Sequence, residues 1–350
     1  MYERPGLNPQ RLVKLMRAAV QRCELDLGGA IVLTEAAAGA YAVTPVLAAI
    51  AGAKQVFAVT RTSRHGTVEE VTDQTQRLAK LAGMKDRIRI MTEKRRDIVA
   101  QADIVTNSGH VRPIDVAMVS WMKKTAVIPL MYEAWEFRAS DIDLESCRQH
   151  GIAVAGTNER HPAVDVFSFL GTMAIKLCLD AGITVHGNNI LVLCDNPFSS
   201  FIEQSMSSMG ASVDVVETLS AGAKDRAYDA IVVALRPRVE RVVSALEATT
   251  IASCWPGAVV AQFWGDIDRS ALSAADVSFW PSEAPAPGHM GVLPSDVGPD
   301  PIVRLQAGGL KVGELLWRAR STGISAEAAL ALVEDSNFGE RILLGETMEA

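Results

Sequence analysis

The chain has 350 residues, 49% of them hydrophobic and 21% charged, a length that suits two domains and a composition that excludes a disordered or fibrous protein. Its formal charge of -7, without a basic stripe, argues against a nucleic-acid partner. The five cysteines, Cys23, Cys147, Cys178, Cys194 and Cys254, form no CxxC pair and read as reduced thiols of a cytoplasmic protein.

The amino-terminal segment MYERPGLNPQRLVKLMRAAV is amphipathic and lacks the apolar core of a signal peptide, and no apolar run reaches transmembrane length, so no membrane partner is expected. Short runs rich in Val and Ile follow at 28–34, 55–60, 87–92, 102–108, 125–131 and 151–157. Further runs stand at 189–194, 212–217, 229–235, 258–263 and 276–280. Continuous apolar runs mark strands buried on both faces, which parallel sheets covered by helices require. The expected fold is therefore α/β, two Rossmann-like doubly wound parallel-sheet domains with an interdomain cleft. We assign 1–160 to the first domain, 161–182 to an interdomain helix and 183–300 to the second domain, with 301–350 as C-terminal helices packing back on the interdomain region. The helix expected over 161–182 has Pro162 near its start and Gly182 just past its end.

Each half offers one turn for a dinucleotide. In the first, AIVLTEAAAGAYAV has small residues around Gly39, and the next strand ends in Thr60, Arg61, Thr62, Ser63 and Arg64, groups suited to a 2'-phosphate. The second half, LCDNPFSSFIEQSMSSMGASVDVVE, has the outline of a nucleotide-binding unit but no glycine in its turn. Side chains at Cys194, Asn196 and Ser199 would crowd a pyrophosphate, Pro197 removes a donor, and Asp195 would repel it. We expect that turn to be closed or to bind a smaller group, with Asp195 and Asn196 pointing into the cleft as polar contacts and Glu217 standing where an acid would hold a ribose.

Polar residues gather where strands end at their carboxyl side: Glu35, Asn107, His110, Arg112, Glu133, Glu136, Arg138, Asn158, Glu159, Arg160 and His161. NSGHVRP and TNERHP each supply a histidine that exchanges a proton near neutral pH and an arginine that clamps an anion. The six histidines lack metal-ligand spacing, so no metal is expected.

The stretch from ADIVTNSGHVRP through DIDLESCRQHGIAVAG to the apolar helix resembles the end of the substrate domain in D-isomer-specific 2-hydroxyacid dehydrogenases. GAVVAQFWGDIDRSAL and FWPSEAP continue the resemblance in the family's order. It implies an NAD(P)-dependent oxidoreductase acting on a small carboxylate-bearing metabolite in the interdomain cleft, in a homodimer. Of that family's catalytic set only Glu283 matches; the arginine position holds Trp264, and the histidine position falls near Gln306. Candidate catalytic residues are therefore His110, His161, Glu133, Glu136 and Glu283, with Arg112, Arg138, Asn158 and Arg160 on the substrate. Candidate contacts to NADP or NAD are Gly39, Thr60, Arg61, Ser63, Arg64, Asn107, Asp195, Asn196 and Glu217. Two other readings stay open: a non-redox acid–base enzyme using Glu133 and Glu136, and a degenerate Rossmann protein that binds a peptide or metabolite without turnover.

Overall fold

A computed structural model describes residues 4–222 and 224–342, so residues 343–350 of the expected C-terminal segment lie outside the described residues. The strands are β1 (Ile31–Glu35), β2 (Gln55–Val59), β3 (Ile88–Met91), β4 (Ile104–Val105), β5 (Val127–Pro129), β6 (Ala153–Thr157), β7 (Asn189–Leu193), β8 (Ser212–Val216), β9 (Ala230–Ala234), β10 (Val259–Trp264), β11 (Phe279–Trp280) and β12 (Gly339–Arg341). Every expected apolar run overlaps one of the first eleven. The chain divides into two compact units, one running through Val166 and resuming at Gly298, the other Phe167–Val297. Among the described residues no helix is long and apolar enough to cross a membrane.

In the first unit the strand order is β12-β6-β5-β4-β1-β2-β3. All pairings are parallel except that of β12, which runs antiparallel to β6. The order from β3 to β6 is the 3-2-1-4-5-6 of doubly wound dinucleotide-binding sheets, reversing between β1 and β4. Val32, Leu33, Ile104, Val105, Val127 and Ile128 have no accessible surface, as strands covered on both faces require. Burying each such side chain contributes about 1.5–3 kcal/mol.

The helix Asp300–Ser321 belongs to this unit and lies against β5 and β6. It comes close because it carries glycines on its inner side. A Cβ at Gly308 would stand 2.8 Å from Val164 Cγ2, and one at Gly313 2.9 Å from Ile104 Cγ2.

The second unit has the order β11-β10-β9-β7-β8, entirely parallel, which is the 2-1-3-4-5 pattern and reverses between β7 and β9. Its helix Leu170–Asp180 is shorter than the unbroken helix expected over 161–182. Asp165 explains the correction. It adopts a left-handed φ of 51° and its carboxylate holds Arg22 at 3.1 Å and Arg304 at 2.6 Å, so residues 161–166 are a pinned loop.

Candidate functional site

Ligands of doubly wound sheets bind outside the carboxyl ends of the strands where strand order reverses, which in the first unit lies between β1 and β4. Glu35 ends β1 and is buried; its Oε2 accepts the backbone N–H of His110 at 2.9 Å. Burial pushes the Glu35 carboxyl above the usual carboxylate range, opposed by that N–H, His110 and Arg112. A side chain at Gly109 would stand 3.2 Å from Glu35 Oε2 and 3.8 Å from Arg112 Nη2, so the glycine keeps both groups accessible to each other. Arg112 Nη1 donates to Asp141 Oδ2 at 2.5 Å, and Tyr132 Oη donates to the same oxygen at 3.1 Å. Burial, with Asp141 next, drives the Tyr132 phenol far up, so it stays protonated and serves as a donor. Thr34, Thr106 and Ser108 form a buried hydroxyl chain with 2.8 Å links beneath this loop. Asn107 is buried, its Oδ1 accepting Met131 N–H at 2.8 Å while its Nδ2 meets no acceptor.

The turn after β1 is open. Gly39 has φ +65°, and a Cβ built there meets nothing within 4 Å. Ala42, three residues on, is fully buried, giving Ala37-x-Gly39-x-x-Ala42, in which small residues occupy the three positions glycine takes in dinucleotide-binding turns. Gln74 holds this turn through Gly39 N–H at 3.2 Å and Gly39 C=O at 3.1 Å. At the end of β2 the Thr60 hydroxyl is buried without a partner. Ser63 and Arg64 are exposed and make local bonds to His65, whereas Arg61 reaches the carbonyls of His110 and Arg112.

Farther along the same edge, beyond β5 and β6, four glutamates gather, two of them beside Arg160. Glu133, only 2% exposed, accepts from Trp135 Nε1 at 2.5 Å; its Oε1 lies 3.7 Å from Arg160 Nε. Glu340 of β12 lies 3.6 Å from Arg160 Nη2. Burial and then the Glu133 charge push Glu136 up to about 7, while burial, Glu136 and Glu133 hold Glu159 well above the usual range. Glu133 is raised by burial, with Glu340 adding and Trp135 and Arg160 opposing. Such a group holds protons above the ordinary carboxylate range because like charges at close quarters cannot all ionise. Arg138 is half-buried and adds positive charge near Glu136. Among the described residues no cluster of three or more His, Cys, Asp or Glu could hold a metal ion.

Two of the expected site residues on this edge have structural partners. The His161 ring stacks on Phe338 at 3.7 Å, and its Nδ1 accepts Ala163 N–H at 3.1 Å, while burial lowers its pKa. Asn158 bridges to Asn337 through Nδ2 and to Arg160 N–H through Oδ1. Sequence reasoning missed Lys94, which sits in the charge run EKRRD, and Asp141, Tyr132 and Glu340, whose roles come from partners distant in the chain. Glu35 and Glu159 carried a signal, being acids at strand ends.

The turn of the second unit, between β7 and the helix Phe198–Ser208, is closed by its own side chains. Asn196 Oδ1 accepts Phe198 N–H at 3.1 Å and its Nδ2 donates to Ala234 C=O at 2.7 Å. Asp195 accepts from Arg236 N–H and from Arg238 Nη2, both at 2.9 Å. Burial raises its pKa, but the bonds from Arg236, Asn196 and Arg238 outweigh it and hold the carboxyl low. Glu217 and Glu283 are exposed. Trp264 is buried and donates to Gly288 C=O at 3.1 Å; Gln306, buried in the first unit, accepts from the Thr44 hydroxyl at 2.8 Å.

With this geometry in view, comparison with known proteins is informative about fold. A dipicolinate synthase chain from Bacillus subtilis is 13% identical over 87% of this chain and 99% of its own, with a TM-score of 0.51. The corresponding dipicolinate synthase chain from Bacillus halodurans is 13% identical over 81% and 96%, with a TM-score of 0.50. The protein shares their fold. A putative D-3-phosphoglycerate dehydrogenase from Ralstonia solanacearum is also similar, at 11% identity over 89% and 98% and a TM-score of 0.43. At this sequence divergence the likeness to the dipicolinate synthase chains is one of fold. Neither a family model nor a curated relative matches the chain.

Proposed function

We propose that the protein is a nicotinamide-dependent oxidoreductase acting on a small carboxylate-bearing metabolite at the carboxyl edge of the first unit. The observation that carries this reading is the juxtaposition of buried Glu35, the His110 loop and Arg112 where strand order reverses, beside an open turn at Gly39. The fit of a dinucleotide rests on the same turn, with small residues at 37, 39 and 42 and the orphaned Thr60 hydroxyl close by in sequence to Arg61. A nicotinamide held there would accept or supply a hydride.

The chain's own groups would do the rest. Arg112, fixed on one edge by Asp141, offers its other edge to a substrate carboxylate. His110, half-exposed, would move the proton to or from the substrate oxygen, since His161 is engaged by Phe338 and Ala163. Glu35 holds the loop through the His110 N–H, and burial raises its pKa there. Asn107 Nδ2 is a buried donor in want of an acceptor, which a ligand oxygen would supply.

The test is a titration with NADH and NADPH read by energy transfer from the six tryptophans, in the wild type and in Gly39→Val. Saturable binding weakened by Gly39→Val is the expected result; binding that Gly39→Val leaves alone would move the cofactor elsewhere. A second reading has its own support, because Glu136 near pH 7 beside Glu133 and Glu159 is poised for proton transfer without a cofactor. Absence of nicotinamide binding together with activity abolished by Glu136→Gln would favour it.

A further inference from the structure

We infer that Arg61 and Lys94 are positioning residues, gripping from behind the loop that presents His110 and Arg112 instead of meeting ligand themselves; the inference rests on the function proposed above. The loop follows β4 and its backbone carbonyls alternate between two cations. Arg61 Nη2 lies 3.1 Å from His110 O and 3.4 Å from Arg112 O. Lys94 Nζ lies 3.1 Å from Val111 O and 2.7 Å from Pro113 O.

Arg61 follows β2 and Lys94 follows β3, so successive strands of one sheet contribute the grip. On the opposite side Glu35 accepts the His110 N–H, Ser108 O accepts the N–H groups of Val111 and Arg112, and Asp141 O accepts that of Ile114. With these backbone groups bound to protein, the loop is fixed and its two functional side chains are aimed by the backbone. Carbonyls bound by cations make stronger bonds than neutral donors would give, which suits a loop that must not move when an anion arrives. Burial draws the Lys94 ammonium below the usual lysine range, with Asp115 opposing and Arg61 adding, as expected for a cation turned inward.

The arrangement has a second consequence. Arg61 stands where a residue discriminating NADPH from NADH is expected, yet its guanidinium is committed to the loop, so cofactor preference should not depend on it. It also surrounds the loop with positive charge, from Arg61, Lys94 and Arg112, in a protein of net charge -7, which draws small anions to this edge.

The experiment follows the His110 imidazole by NMR with carbon-13-labelled histidine in the full chain, as wild type, Lys94→Met, Lys94→Arg and Arg61→Gln, with oxalate as the anion probe. Lys94→Met should displace the His110 imidazole signals and weaken oxalate about tenfold, and Lys94→Arg should restore both. Arg61→Gln, at an exposed residue, should shift the His110 signal in the same way while weakening NADH and NADPH equally, and it decides the matter should Lys94→Met not fold. His110 imidazole signals that superimpose on the wild type in the folded variants would overturn the inference. So would a tenfold separation of NADPH from NADH in Arg61→Gln with His110 unmoved. Failure of the wild type to bind oxalate or nicotinamide would count against the proposed function alone, since the His110 signals read the positioning without any ligand.

Discussion

The two units place a turn at the same topological point and treat it in opposite ways. After β1 the chain passes through small residues, with Gly39 in a left-handed conformation and empty space where a side chain would be. After β7 it passes through Asp195, Asn196 and Pro197, and the Asn196 amide takes the helix-start N–H that a phosphate would otherwise receive. A closed turn of this kind is stable without a ligand, because its polar groups have partners. The open turn is held by Gln74, and the unspent binding capacity of that unit lies at the ends of β2 and β4, in the Thr60 hydroxyl and the Asn107 amide.

The largest effect that would break this comparison is on binding. Gly39→Val places a branched side chain at a positive φ and into the open space, and should weaken nicotinamide binding about a hundredfold or more, read by fluorescence titration. Asn196→Gly in the other turn should leave that affinity unchanged and cost about 1–2 kcal/mol of stability for the lost cap and its bond to Ala234, read by urea denaturation. An equal loss of binding in both variants would erase the distinction between the units.

Arg112→Ala comes next. It should weaken a carboxylate ligand about tenfold to a hundredfold, and because buried Asp141 then loses its ion pair, it should also cost about 1–3 kcal/mol. A residue at a loop tip free of the core would show only the first effect, so thermal melts beside the binding assay separate the two.

The carboxylate cluster predicts a pH dependence confined to the first unit. Glu136 is raised to about 7 in the fold, and Glu133 and Glu159 are raised as well, so between the unfolded value near 4.5 and these folded values the native state holds more protons than the unfolded chain. The contribution of these groups to stability is therefore fully present below that unfolded value and is lost as pH rises through about 7, by on the order of 1.4 kcal/mol for each unit of raised pKa. Glu136→Gln should flatten the decline between pH 5 and 8 in thermal melts; an unchanged slope would mean that the glutamates ionise freely.

The smallest effect concerns thiols. Burial pushes Cys194 up to about 11 and Cys178 up to about 12, so alkylation near neutral pH should be slow at both and fastest at the partly exposed Cys254. Opening the second turn with Asn196→Gly should hasten labelling of Cys194 but not of Cys178, measured by mass spectrometry.

Eleven strands and the doubly wound class were legible because a strand buried on both faces must be apolar along its whole length, a demand written locally in runs such as NILVLC and DAIVVAL. β12 was not. Gly339, Glu340 and Arg341 have no apolar signature, and their extended form comes from pairing with β6. The closed turn of the second unit was also readable, since bulky and acidic residues exclude a phosphate by their own size and charge.

The roles of individual polar residues belong to the tertiary structure. His110 and His161 sit in similar loops, each followed within three residues by a proline, yet one is presented by a gripped loop and the other is consumed by Phe338, more than 150 residues away. Arg61 looked like a phosphate ligand and holds a loop; Lys94, in the run EKRRD, carried no signal and holds the same loop. Chain composition sets which segments must be buried, because hydrophobic burial needs no particular partner. Hydrogen bonds and ion pairs act only at short range and in fixed directions, so which polar group meets which was decided by the folding of strands remote in sequence onto one edge.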